Sequence, residues 1–334
     1  MKKSSSRIVG LIVALLLIAA GTWLAVGGGI ASFSGGYANA DKYTAGETTV
    51  SQPVENLDIH WISGHVNVEY HEGADIRVSE TANRNLSDND RVRWWLDGKT
   101  LRIQFQAPGL RLFSFSAEKT LTVSLPKDLS LKAVSIDVTS ADVSAENLIS
   151  DELKLTSTSG NLTTGGSVKK LSASATSGDI RFRSDAAMDA ADLSATSGKI
   201  SLVLEGAKSV SVNATSGDVT LSSSAPVDNL SLHTTSGKIT VSGAVSDGKI
   251  SSTSGSMDLA FTAFDNLSVD ATSGDVVAAL PETPGFACEI ETTSGNVDTA
   301  MPLEKNGKTY TCGEAKSQCR INTTSGDVLI TKAQ

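Results

Sequence analysis

The sequence predicts an all-β protein: a parallel β-solenoid (β-helix) of coils about 19 residues long, with a strand-rich N-terminal cap, preceded by one transmembrane helix. Three observations lead there. Thr-Ser-Gly recurs with its glycine at Gly160, Gly178, Gly198, Gly217, Gly237, Gly255, Gly274, Gly295 and Gly326, at intervals of 18, 20, 19, 20, 18, 19, 21 and 31 residues. Around each glycine, apolar and polar residues alternate with period two, the pattern of a half-buried strand. The chain has 29 Gly and only 5% aromatic residues and is rich in Ser and Thr, a mix suited to strands and turns rather than long helices.

In chain order, residues 1–7 read as a cytoplasmic tail. The uncharged run from Ile8 to Ile30 is long enough to span a bilayer as a helix, and Lys2, Lys3 and Arg7 precede it, the charge pattern of a single-pass anchor with its N-terminus in the cytoplasm. Ala38-Asn39-Ala40 has the form of a signal-cleavage site but lies well beyond the apolar run, so the anchor is read as uncleaved. Residues 31–50 are a linker, and everything after about Ser34 is expected outside the cytoplasm.

Residues 51–131 lack the repeat yet alternate, as in "NLDIHWISGHVNVEY", "RVRWWLDGKTLRIQF" and "KTLTVSLPKDL". Asp97-Gly98 marks a hairpin. An open solenoid end exposes unpaired strand edges, so this region is read as a cap, with Trp61, Trp94 and Trp95 covering the first rungs; these tryptophans are a possible contact region, as is the insertion around Cys312.

Residues 132–334 form the repeat array. Five positions before each glycine stand apolar residues such as Leu193, Val212 and Leu232; two after it stand Ile200, Val219 and Ile239. Three before, the residue is small and keeps the inward phase: Ala195, Ala214, Thr234. From there to the next inward residue is five positions, an odd number, so the alternation must break once, at a corner across Thr-Ser-Gly. Glycine supplies the dihedrals such a corner needs. If successive coils stack, the residues after each glycine form a column: Asp142, Asn161, Asp179, Lys199, Asp218, Lys238, Ser256, Asp275, Asn296, Asp327. Taken in chain order, no two neighbours carry the same charge, as in-register stacking favours.

The 31-residue interval carries an insertion with an Asn306-Gly307 hairpin signal. Of the three cysteines, Cys288 and Cys319 occupy equivalent inward positions and could bond. Cys312 and Cys319 are close in sequence, and that pair is the preferred disulfide because an exposed hairpin oxidises easily.

No chemistry accompanies the repeat. The polar residues are monotonous Ser, Thr and Asn without a base at fixed spacing, so no catalytic residue is assigned. His60, His65 and His71 near Glu69 and Glu72 are too scattered for a metal site, and the cysteines lack ligand spacing, so no metal or cofactor is expected. A net charge of -9 with no basic stripe argues against nucleic acid. The threonine column from Thr158 to Thr324 sits on a corner, which disfavours an ice-binding plane.

The anchor, the "LDIHWISGHVNV" opening, the "LTVSLPKDLSL" segment, the serial "TSGD/K-I/V" units and the closing "INTTSGDVLI" together resemble the "putative adhesin" family of bacterial β-strand-repeat envelope proteins, over about residues 50–334. The resemblance implies a β-solenoid at the cell surface and supplies no catalytic residues. The leading functional expectation is a non-enzymatic, membrane-anchored extracytoplasmic adhesin or envelope scaffold that contacts a protein or envelope polymer. The alternative is an envelope-stress sensor working through a membrane signalling partner; a polysaccharide-processing enzyme comes third. The register makes a prediction: Lys199→Asp, which puts three acidic residues in succession with Asp179 and Asp218, lowers the melting temperature more than Lys208→Asp. Equal melting temperatures contradict it.

Overall fold

Each repeat folds as its alternation demands. In the computed structural model, which describes residues 37–109 and 118–333, Leu193, Ala195, Ile200 and Leu202 all lie buried while Ser194 and Thr196 face out. Strands Met188–Ser197 and Ala207–Ser216 bracket the short strand Ile200–Leu204, with the corner at Gly198 between the first and the short one. Equivalent strands of successive repeats then pair in parallel: Leu193 lies beside Ala173 on one side and Val212 on the other. The result is one 24-stranded, mostly parallel sheet around a continuous apolar core. Among the described residues the only helical elements are two 3-10 turns, Ala40–Lys42 and Asp88–Asp90.

The glycine column shows why the tripeptide repeats. A Cβ placed on Gly217 would lie 1.9 Å from the carbonyl oxygen of Gly198, and one on Gly237 would lie 2.1 Å from that of Gly217. At these glycine corners the backbone of the neighbouring coil lies too close for any side chain, whereas the column beside Gly64 admits Ala141 and Lys119. This steric demand, more than unusual dihedrals, selects glycine.

The same contacts give the order of the coils, and it is not chain order. Gly326 packs on Gly274, and Gly295 packs on Gly326. The final strands Ser317–Ser325 and Val328–Lys332 therefore insert between Met257–Ser273 and Gly285–Ser294, and between Val276–Leu280 and Val297–Thr299. The other end mirrors this. Asn56–His71 pairs with Leu131–Ser157 on one side and with Thr100–Gln104 and Lys119–Pro126 on the other, so a segment later in sequence lies outermost. Antiparallel strands finish both ends. Ile76–Ala82 flanks Lys119–Pro126, Arg93–Asp97 flanks Thr100–Gln104, and the hairpin Glu304–Asn306/Thr309–Gly313 lies along Gly285–Ser294.

These findings correct three expectations. The coil-after-coil β-solenoid does not describe the fold, because both terminal coils are placed out of chain order and antiparallel strands flank the stack. The charge column is not free of like neighbours, since Asp275 and Asp327 become adjacent once Gly326 follows Gly274. The single-pass topology has no structural support: among the described residues no helix is long and apolar enough to cross a membrane. The expected anchor, residues 8–30, and the tail before it lie outside the described residues, and the linker 31–50 does so in part.

At Gly217, alanine should act as an overpacking mutation against unyielding backbone, costing at least the roughly 1–3 kcal/mol of a strained core substitution. At Gly307, where a Cβ meets nothing within 4 Å, alanine should cost less despite the positive φ. Thermal unfolding of both variants checks this, and equal losses contradict the contact.

Candidate functional surface

Outward positions of the stack form columns, and the column after each glycine satisfies backbone. The Asp142 carboxylate accepts from the Asn161 N–H at 2.8 Å, the Asn161 amide oxygen from Asp179 N–H at 3.0 Å, and the Asp179 carboxylate from Lys199 N–H at 2.9 Å. Asp275 does the same for Asp327, and Asp327 for Asn296. A short side chain with an oxygen two bonds from Cβ reaches the next rung, which accounts for the Asp and Asn in this column better than charge alternation does. Inside the corner, the Ser157 hydroxyl takes the Gly160 N–H and donates to the Gly160 carbonyl, both at 2.7 Å. The corner glycines are thus structural, and their hydroxyl neighbours are occupied in part by the backbone.

A concavity of about 760 Å³ forms a trough crossing successive strands toward the C-terminal end. Paired outward residues line it: Ser209 and Ser211, Asn229 and Ser231, Asp247 and Lys249, Asn266 and Ser268, Gln318 and Arg320. Gly248 also lines it, in register with Leu230 and Leu267. Thr309 of the inserted hairpin bounds one end. The lining mixes polar and charged side chains with apolar residues such as Val210, Leu230 and Leu267, and contains no aromatic ring.

The tryptophans singled out from the sequence divide. Trp61 is 1% exposed and packs edge-to-face on Phe105 at 4.8 Å, so it is core. Trp94 packs against the core, whereas Trp95 meets the Tyr43 ring at 5.6 Å under the Lys42 ammonium. Between them lies a residue the sequence reading missed. Lys119 is 1% exposed; its ammonium pairs with the buried Glu80 carboxylate at 2.9 Å, donates to the Asp90 and Phe105 carbonyls, and sits 4.0 Å from the Phe105 ring centre and 4.8 Å from that of Trp61. It stands beside Gly64 in the corner column. A buried cation held this way is a lock between cap strands rather than a free reactive amine. Its only sequence signal was a lysine in phase with apolar Leu121 and Val123.

A second polar cluster lies on the outer face of Asn56–His71. His60 Nε2 is 3.2 Å from Asp58, Nδ1 is 4.0 Å from Asp137, and Arg102 bridges Asp58 and Asp97. The hydrogen bond to Asp58 raises the His60 pKa against the opposing effect of burial. Burial raises the Asp137 pKa, and for Asp58 burial is outweighed by His60 and Arg102, which hold its carboxyl below the usual range. The arrangement is a chain of ion pairs; among the described residues no group of His, Cys, Asp and Glu is placed to hold a metal.

Register settles which cysteines meet. Cys288 and Cys319 are directly opposite each other, while Cys312 faces Phe286 one strand further out. The pairing preferred from the sequence, Cys312 with Cys319, is not the pair brought together.

A stack of this kind, with glycine corners and polar outer columns, defines a repeat-built β protein. The chain belongs to the Toastrack DUF4097 family, whose model matches residues 54–203 and again 162–331. Membership in this family of scaffolding folds replaces the resemblance to the adhesin-type β-solenoid family, and the protein is not an enzyme. No curated protein matches the sequence. Solved structures with a likeness include a "putative adhesin" from Bacteroides fragilis (11% identity, 86% of this chain and 95% of that one, TM-score 0.38). Another is a "putative adhesin" from Parabacteroides merdae (16%, 64% and 95%, TM-score 0.38). A "putative cell adhesion protein" from Clostridium sporogenes is a third (13%, 86% and 100%, TM-score 0.24). Likenesses this loose assign no function.

The His60 cluster makes a pH prediction. Because the folded pKa of His60 is raised, its contribution to stability is full below the unfolded value near 6.5 and is lost as pH rises through the folded value. His60→Gln should therefore lower the melting temperature more at pH 5.5 than at pH 9; an equal loss at both contradicts the ion pair.

Proposed function

We propose that the protein is a non-catalytic, adhesin-like scaffold that binds an extended partner, a protein or envelope polymer, across its stacked polar face. The observation that carries this reading is the trough over Ser211, Ser231, Lys249, Ser268 and Arg320. It crosses strands spaced about 4.8 Å apart, so a partner lying in it meets the same geometry at each rung. Hydroxyl, amide and paired charges offer hydrogen bonds to backbone amides or sugar hydroxyls alike. The missing aromatic platforms favour a protein, since carbohydrate sites commonly stack sugars on rings.

A direct experiment fills the trough. Ser231→Trp with Ser268→Trp should reduce binding of the purified domain to cell-envelope fractions tenfold or more at an unchanged melting temperature. Thr220→Trp, on an exposed position outside the trough, should leave binding intact. Unchanged binding by the double variant, or no binding by the parent, overturns the reading.

A further inference from the structure

Cys288 and Cys319 occupy one register position on neighbouring parallel strands, Gly285–Ser294 and Ser317–Ser325. Such strands lie about 4.8 Å apart, inside the 4.4–6.8 Å Cα range that a disulfide spans. Both side chains point into the core, 0% and 5% exposed, and their thiols are hydrogen-bonded to one another. Cys312 is placed differently. Its strand, Thr309–Gly313, pairs with the far edge of Gly285–Ser294, and it stands opposite Phe286. It is thus diagonal to Cys288, about 7–8 Å away, and two strand spacings from Cys319, beyond the roughly 7 Å limit. Its Sγ contacts the Glu282 carbonyl at 3.9 Å instead.

The location gives the pair a consequence. Ser317–Ser325 is the strand inserted out of chain order, between Met257–Ser273 and Gly285–Ser294. Because it is adjacent in sequence to neither neighbour, only pairing and packing hold it there. We infer that Cys288 and Cys319 form a disulfide as the protein folds, stapling the inserted last coil to its outer neighbour and leaving Cys312 as the free thiol.

The oxidant belongs to the class of small or protein disulfides. One cysteine thiolate attacks a sulfur of the oxidant and expels one of its thiols, forming a mixed disulfide. The second thiolate attacks the protein sulfur of that mixed disulfide and expels the other thiol. Two protein thiols give up two protons and two electrons, and the oxidant disulfide becomes two thiols. Burial and the neighbouring thiol push the Cys319 thiol well above its ordinary pKa once folded, so exchange belongs to the folding chain, and the finished bond is shielded from reductants.

The test uses the full chain, unfolded and refolded in a mixture of oxidised and reduced glutathione. Free thiols are then alkylated and the protein digested without reduction. The inference expects one Cys288–Cys319 cross-linked peptide and an alkylated Cys312. It also expects a melting temperature several degrees above that of protein refolded with reductant, in the wild type and in Cys312→Ser alike. Cys319→Ser should remove the difference. A cross-link that includes Cys312, or alkylation of all three cysteines, overturns the inference. Should Cys319→Ser not fold, the wild-type map and the Cys312→Ser pair of melting temperatures still decide.

Discussion

Corner glycines resting on one another's carbonyl oxygens govern the rest of the structure. Each approach of about 2 Å between a notional Cβ and the next backbone leaves no room for a side chain. That contact sets the register of every strand that leaves the corner, and with register come the buried columns, the outward Asp and Asn ladder, and the face on which the trough opens. A one-residue slip would turn each core column to solvent and remove the acceptors that serve successive N–H groups. The repeat is therefore conserved within the chain by packing, without any catalytic demand.

Stacks built this way have two ends, and both are managed by the same device. A segment is folded back so that the outermost coil is not the first or last in sequence, and antiparallel strands then cover it. Lys119 shows how firmly the N-terminal end is held, with a buried cation enclosed by Glu80, two carbonyls and two rings. Removing one partner of such a pair would strand a buried charge, typically at about 3–5 kcal/mol. The C-terminal end uses the inserted strand and the hairpin around Asn306-Gly307.

Much of this was legible from residues alone. The period-two columns, the corners at the nine glycines, the Asp97-Gly98 and Asn306-Gly307 hairpins and the inward phase of Cys288 and Cys319 all follow from local alternation. Coil order was not legible, because a repeat specifies which positions stack but not which copy is next to which. Gly326 is as good a neighbour for Gly274 as Gly295 is, and chain order was the only guide. The assumption of consecutive coils misled the charge column, while nearness in sequence misled the disulfide preference. The cap was read in outline, but Trp61 and Lys119 act through long-range partners such as Phe105 and Glu80 that no spacing reveals. The trough is lined by residues from strands far apart in sequence, such as Ser211 and Arg320, which only register brings together.

Disulfide trapping across the corner column tests the account most directly. In a background with Cys288, Cys312 and Cys319 changed to alanine, cysteines at Ser273 and Ser325 occupy directly paired positions, whereas Ser273 and Ser294 are separated by the strand between them. The account predicts rapid cross-linking of Ser273→Cys with Ser325→Cys under mild oxidation, and none for Ser273→Cys with Ser294→Cys. Cross-linking of the second pair in place of the first would show that the coils follow chain order and would contradict the arrangement described.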